Sequence, residues 1–243
     1  MSFIGKKVAV VGGGSGIGKA VARLAAANGA EVFVSSRDKA KLDQAVEAIG
    51  SGTALQVDMT DPGSVERWAE ALPEIDHLVI SASSAAHGAF EDLSEDRLRG
   101  MFDAKFFGPY DVAKAALAKL ESGGSITFFS GVLSRRPGLN CSGLGAVNGA
   151  IEALTRGLAL ELGPKLRVNC LSPGMVRSDA YARMDADARA QMYQATGESL
   201  PAGRVGEVEE LAEAAMFLMT NGYATGVVLD VDGGHMIRQY ARR

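Results

Sequence analysis

Apolar residues along the chain fall into two alternating kinds of run. The short kind is dense in Val, Ile, Leu and Phe. It predicts strands over Lys7–Val11, Glu31–Ser35, Ala54–Val57, His77–Ser81, Ser125–Ser130, Arg167–Leu171 and Val227–Val231. The longer kind repeats its apolar positions every three or four residues. It predicts helices over Gly16–Asn28, Lys39–Ile49, Gly63–Leu72, Glu95–Leu120, Gly143–Leu162 and Val208–Thr220. The strand runs lack a clear polar alternation, as expected when both faces of a parallel sheet are covered. Strand and helix take turns throughout, which predicts an α/β fold: a doubly wound parallel sheet of about seven strands with helices on both faces. Helix starts carry caps, Asp61 before Pro62 and Ser94 before Glu95 and Asp96. With no linker, tandem repeat or low-complexity tract, residues 1–243 read as a single domain. One irregular stretch, 177–205, separates the sixth strand from the last helix. Doubly wound sheets bind ligands beyond the C-terminal strand ends, so a long insertion there predicts a substrate lid.

Composition narrows the function classes. The chain has 243 residues, 47% of them hydrophobic, enough for one large core. A net charge of -4 without a basic block argues against nucleic acid and against an anionic membrane surface. The absence of a secretory pattern, and of an apolar run near the length of a membrane span, predicts a cytoplasmic protein. Cys141 and Cys170 have neither metal-site nor redox-pair spacing, and His77, His87 and His235 are scattered, so no metal site is expected.

The densest chemical signal is Val11-Gly12-Gly13-Gly14-Ser15-Gly16-Ile17-Gly18, between the first strand and the first helix. Glycines let the backbone turn tightly and approach a pyrophosphate, while the helix N-terminus offers free N–H groups and partial positive charge. Strand, glycine turn and helix in this order predict the dinucleotide cradle of a Rossmann-type sheet, with Gly12, Gly14, Ser15, Gly16, Ile17 and Gly18 against the cofactor. About 20 residues further on, such a sheet meets the adenosine ribose. An NAD site places a carboxylate there. This chain has Ser36-Arg37, with no acid to repel a 2′-phosphate and a guanidinium to bind one. NADP(H) is therefore expected ahead of NAD(H), the alternative being an arginine that only caps a turn beside Asp38. Asp58, followed by Met59, stands where it either accepts from the adenine amine or caps the helix after Asp61.

Together these residues resemble the short-chain dehydrogenase/reductase family along nearly the whole chain. Gly12, Gly16 and Gly18 match its glycine motif, with Val11 where Thr is usual. Arg167-Val168-Asn169 and Ser172-Pro173-Gly174-Met175-Val176-Arg177-Ser178 match its sixth strand and the turn that holds the nicotinamide. Ala202–Gly206, Thr225-Gly226 and Asp230–Gly234 match its C-terminal part. The resemblance implies Pro173, Gly174, Val176 and Ser178 as cofactor contacts, with Ser81 and Ala82 after the fourth strand. It also implies a homodimer or homotetramer built on the Glu95–Leu120 and Gly143–Leu162 helices, with Gly145 and Gly149 admitting a close neighbour.

The family's proton-handling residues are replaced. Leu144 and Asn148 stand at its Tyr and Lys positions, Gly131 at its Ser with Ser130 beside it, Lys105 at its helix Asn, and Ile80-Ser81-Ala82-Ser83 at its Asn-Asn-Ala-Gly. Lys and Asn have changed places, so one ammonium and one amide are expected in the same region. Lys105 lies among Phe102, Phe106 and Phe107, surroundings that lower a lysine pKa. Catalysis is accordingly expected from Lys105, Ser130 and Asn148, against the plainer reading of Lys105 as a snorkelling side chain. The expected function is an NADP(H)-dependent oxidoreductase acting on a small carbonyl or alcohol. The alternative is an NADP(H)-binding sensor or structural protein without turnover.

Overall fold

The computed structural model describes residues 2–81 and 87–238. Seven parallel strands form one sheet: β1 (Lys7–Val11), β2 (Glu31–Ser35), β3 (Thr53–Ala54), β4 (Ile75–Ile80), β5 (Leu120–Phe129), β6 (Arg167–Pro173) and, after the short pair β7 (Val176–Arg177) and β8 (Gly206–Glu207), β9 (Val228–Val231). Their spatial order is β3-β2-β1-β4-β5-β6-β9. The order reverses between β1 and β4, which places the ligand crevice at the C-terminal ends of these two strands.

Successive residues of a strand face opposite sides, and the core divides accordingly. Val8 and Val10 pack with Val21 and Ala25 of α1 (Gly16–Ala27) and with Leu211 and Ala215 from a C-terminal helix, Val208–Thr220. Ala9 and Val11 pack on the other face with Trp68 of α3 (Pro62–Ala71) and with Val112 and Ile151 of the helices Gly108–Ala116 and Ser142–Leu162. Each fully buried aliphatic or aromatic side chain contributes about 1.5–3 kcal/mol. Trp68 adds a satisfied polar end, donating from Nε1 to Ser35 Oγ at 2.9 Å. Between α1 and α3 runs α2 (Lys39–Ile49).

Most expected elements stand where the pattern placed them, with four differences. The third strand is only Thr53–Ala54, because β3 is an edge strand with one neighbour; Leu55 and Val57 still donate to Val34 and Ser36 beyond it. The fourth and fifth strands begin earlier than expected. The expected long helix from Glu95 is interrupted. It runs as α4 (Glu95–Phe102), a π-helical turn over Asp103–Phe107, α5 (Gly108–Ala116) and a 3-10 turn over Leu117–Lys119. The irregular stretch contains α7 (Ala186–Ser199), following α6 (Ser142–Leu162) and preceding α8 (Val208–Thr220). Its N-cap is Asp185, which accepts from Asp187 and Ala188, and only Tyr193 and Gly197 are buried along it. A helix with so little buried face leaves no apolar stripe to read. Among the described residues no helix is long and apolar enough to cross a membrane.

Candidate active site

The glycine turn has the backbone its composition requires. Gly12 and Gly16 sit at φ of +87° and +54°, left-handed values that L side chains avoid. A Cβ on Gly18 would overlap the Gly12 carbonyl and the Ser81 hydroxyl, and one on Gly14 would lie 2.9 Å from Ser36 Oγ. Ser15 is the extended N-cap of α1 but makes no side-chain cap bond. Ile17 packs onto the core beneath. Ser81 continues the β4 ladder, its N–H donating to Val11 O at 2.9 Å. Ala82 lies outside the described residues.

At the end of β2 the turn opens into a cleft of about 370 Å³, walled by Gly12, Ser36, Arg37, Asp58 and Met59. The acid that follows Arg37 in sequence, Asp38, is engaged elsewhere. It is the N-cap of α2, accepting from the Lys41 N–H at 3.1 Å, while its carbonyl accepts from Ser36 Oγ. The Arg37 carbonyl is held by Gln56 Nε2 at 2.9 Å, and its residue borders both this cleft and a neighbouring one. Asp58 does not cap α3. Asp61 does so, accepting from Gly63 with Pro62 in the first turn. Asp58 Oδ1 instead accepts from the Thr60 N–H and hydroxyl, and these bonds, the N–H first, hold its carboxyl below the usual range. Met59, Thr60 and the N-cap Asp61 separate Asp58 from the helix, which is why the capping alternative fails.

The turn after β6 is equally constrained. A Cβ on Gly174 would lie 2.8 Å from the Asp232 backbone, and the Gly174 N–H donates to Val231 O. Pro173 closes β6, Val176 is buried in β7, and Ser178 caps a 3-10 turn over Asp179–Tyr181.

Between these two halves, at the end of β5, lie the lysine and asparagine expected to have changed places. Lys105 sits in the π-helical turn, 7% exposed, and Nζ donates to the Ser130 carbonyl at 3.1 Å. Asn148 on α6, 2% exposed, donates from Nδ2 to the next carbonyl, Gly131, at 3.3 Å. The inserted residue of a π turn displaces the helix locally, a feature common at functional sites. Burial pushes the Lys105 ammonium down to about 8, partly opposed by the nearby Cys170 thiol, itself pushed up to about 11 by burial.

Leu144, expected in the family's tyrosine place, is buried in an apolar cluster with Met101 and Val147. Gly131 has no hydroxyl, and a Cβ there would stand 3.0 Å from Asn148 Nδ2. Ser130 is present but committed: its hydroxyl donates to Glu152 Oε1 at 3.1 Å. Glu152, 4% exposed, also accepts from Ser134 and lies 3.5 Å from Arg135 Nε, and Arg135 forms a bidentate pair with Asp230. Arg135 is thus paired twice within the chain. Glu152 was not among the expected residues. Its signal was its place one helical turn beyond Asn148, on the same face of α6.

The site fits a dinucleotide. The glycine turn leaves a path that side chains would fill, and Asn148 Oδ1 is a buried acceptor without a partner.

The comparisons agree with this geometry. A family model described as Enoyl-(Acyl carrier protein) reductase matches residues 11–236. The chain is 36% identical to the galactitol 2-dehydrogenase (L-tagatose-forming) of Cereibacter sphaeroides, over 96% of both chains. It is 31% identical to the carbonyl reductase family member 4 of Xenopus laevis, covering 94% of this chain and 97% of the relative. Among solved structures it is similar to a small-chain dehydrogenase in complex with NADPH, with 39% identity, a TM-score of 0.84 and coverage of 95% and 98%. A short-chain type dehydrogenase/reductase from Mycobacterium ulcerans matches with 30% identity, a TM-score of 0.90 and coverage of 98% and 92%. The chain belongs to the short-chain dehydrogenase/reductase family, an oxidoreductase family that binds a nicotinamide cofactor.

Proposed function

We propose that the protein is an NADP(H)-dependent oxidoreductase for a small carbonyl or alcohol, in which Lys105 takes over the work of the family's tyrosine. The observation that carries this reading is the buried Lys105 ammonium, held at the end of β5 beside Asn148 and lowered to about 8. A bound nicotinamide supplies or accepts the hydride. Lys105 provides a proton to the oxygen of a carbonyl being reduced, or stabilises the developing alkoxide by its charge. Asn148 Oδ1 accepts from a hydroxyl and orients it, while its Nδ2 stays on Gly131 O. Ser130 contributes through its carbonyl, which positions Nζ; its hydroxyl proton is directed to Glu152.

Cofactor choice rests on Ser36 and Arg37, with Asp38 turned away to cap α2. Gly12, Gly14, Ser15, Gly16, Ile17 and Gly18 take the pyrophosphate side, Asp58 and Met59 the adenine side, and Ser81, Pro173, Gly174, Val176 and Ser178 the nicotinamide side. The 177–205 segment, with α7, covers the substrate as a lid. Exposed Phe107, Tyr110 and Leu160 on the α4–α5 and α6 surfaces support a homodimer or homotetramer. Free Cys141 and Cys170 suit a reducing, cytoplasmic setting.

The test is calorimetric binding of NADPH, NADP, NADH and NAD, followed by turnover on a panel of polyols, ketoses and simple carbonyls. The competing reading is a cofactor-binding protein without turnover. Leu144 in its apolar cluster and the committed Ser130 hydroxyl favour it. Tight NADPH binding with no turnover across the panel would establish that alternative.

A further inference from the structure

The anion-binding end of the glycine turn is not left to solvent. The Gly16 N–H, first of α1, donates to Asp179 Oδ2 at 3.2 Å, across 163 positions of sequence. Asp179 opens the 3-10 turn Asp179–Tyr181, which Ser178 caps. The N-terminus of a 12-residue helix carries unpaired N–H groups and partial positive charge, and Ser15 supplies no cap. A carboxylate from the start of the 177–205 segment therefore fills a place suited to phosphate oxygen. The two guanidiniums lining the adjoining cleft are engaged elsewhere, Arg23 with Glu209 at 2.8 Å and Arg177 with Glu207 at 3.1 Å.

We propose that Asp179 is an internal competitor of the cofactor pyrophosphate, an inhibitory latch that must leave Gly16 before the dinucleotide seats. This rests on the cofactor reading above. Carboxylate and phosphate oxygens seek the same donor and repel one another at this range, so the two cannot occupy the turn together. Release also acts on the lid. Tyr181, two residues on, packs edge-on against Tyr193 of α7 with ring centres 5.9 Å apart, and its carbonyl accepts from Arg189 at 3.3 Å. The Arg177 guanidinium lies 4.8 Å from the Tyr193 ring centre. Cofactor arrival at Gly16 thus frees the near end of the segment that covers the substrate.

The experiment is calorimetry on the full chain with NADPH, ADP-ribose and 2′-AMP, for the wild type, Asp179→Asn and Asp179→Ala. ADP-ribose has the pyrophosphate without the 2′-phosphate; 2′-AMP has the reverse. Both variants are expected to bind NADPH and ADP-ribose roughly five-fold or more tighter, the scale of one charge at a helix N-terminus, with 2′-AMP unchanged. Unchanged or weaker NADPH binding in both variants, while the wild type binds it, would overturn the latch alone. An equal gain for 2′-AMP would do the same, since it reports only a general charge effect. If none of the three proteins binds any of the ligands, the cofactor reading falls and the latch with it.

Discussion

Lys105 and Asn148, 43 residues apart, hydrogen-bond to consecutive carbonyls of one strand end, Ser130 and Gly131. Their side chains approach that end from different elements, the π-helical turn and α6. The pair sets one buried ammonium and one buried amide against the same short stretch of backbone.

Replacing Lys105 separates catalysis from stability. Lys105→Met is expected to cut turnover by about 10²-fold or more, the scale of a lost acid or charge-stabilising group. It is also expected to raise the melting temperature, because a buried ammonium gives way to an apolar chain of similar length. Its lowered pKa, 10.5 to about 8, corresponds to a burial cost of roughly 3 kcal/mol below pH 8. At this chain length each kcal/mol is worth about 2–4 °C. Steady-state kinetics and thermal melts of one variant check both halves. A variant that melts lower and keeps its activity would make Lys105 structural.

The same lysine sets a pH dependence. With Lys105 as the proposed proton donor, kcat/KM for carbonyl reduction is expected to fall as pH rises through about 8, and alcohol oxidation to rise over the same range. Native stability moves independently. The folded pKa lies below the unfolded one, so the native chain binds fewer protons between about 8 and 10.5, and the Lys105 penalty fades as pH climbs through that window. Initial rates in both directions, with urea unfolding at each pH, separate the two effects.

Arg37→Ala is expected to weaken NADPH binding by about 1–3 kcal/mol and to leave NADH nearly unchanged, since only the former carries a phosphate for the guanidinium. Calorimetry with both cofactors decides it; equal losses would remove Arg37 from cofactor choice.

His77 gives the fold an acid-sensitive point far from the chemistry. It is 7% exposed, faces Ser125 Oγ at 2.9 Å through Nδ1, and packs edge-on against Phe3. Burial pushes it down from 6.5 to about 4. The neutral ring is native, so its contribution is complete above pH 6.5 and is lost as pH falls toward 4, by about 3 kcal/mol at most. Urea midpoints between pH 7 and pH 4 should fall, and His77→Gln should flatten that slope.

The sequence by itself determined the layers of the fold. Apolar runs, capped helices and the left-handed glycines at 12 and 16 are local devices, and each reads out within a few residues. Counting from the Gly149-Ala150 segment also singled out Asn148 and Leu144 on α6, and Lys105, from sequence alone. Tertiary structure decided what those groups touch. The π turn that aims Lys105 at Ser130 interrupts a helix whose apolar pattern runs on unbroken, so periodicity gave no sign of it. Glu152 became the acceptor for Ser130, Ser134 and Arg135 only when α6 packed on β5 and its following loop. Asp179 reached Gly16 only because β6 and β1 end at the same edge of a parallel sheet, so that the chain leaving β6 can run past β5 and β4 to the turn after β1. Helix α7 formed with almost no buried face, held by its cap and by two aromatic contacts rather than by an apolar stripe. Local pattern encodes which face of an element is buried; partners of buried polar groups come from elements distant in the chain, and only the closed sheet brings them within hydrogen-bond reach.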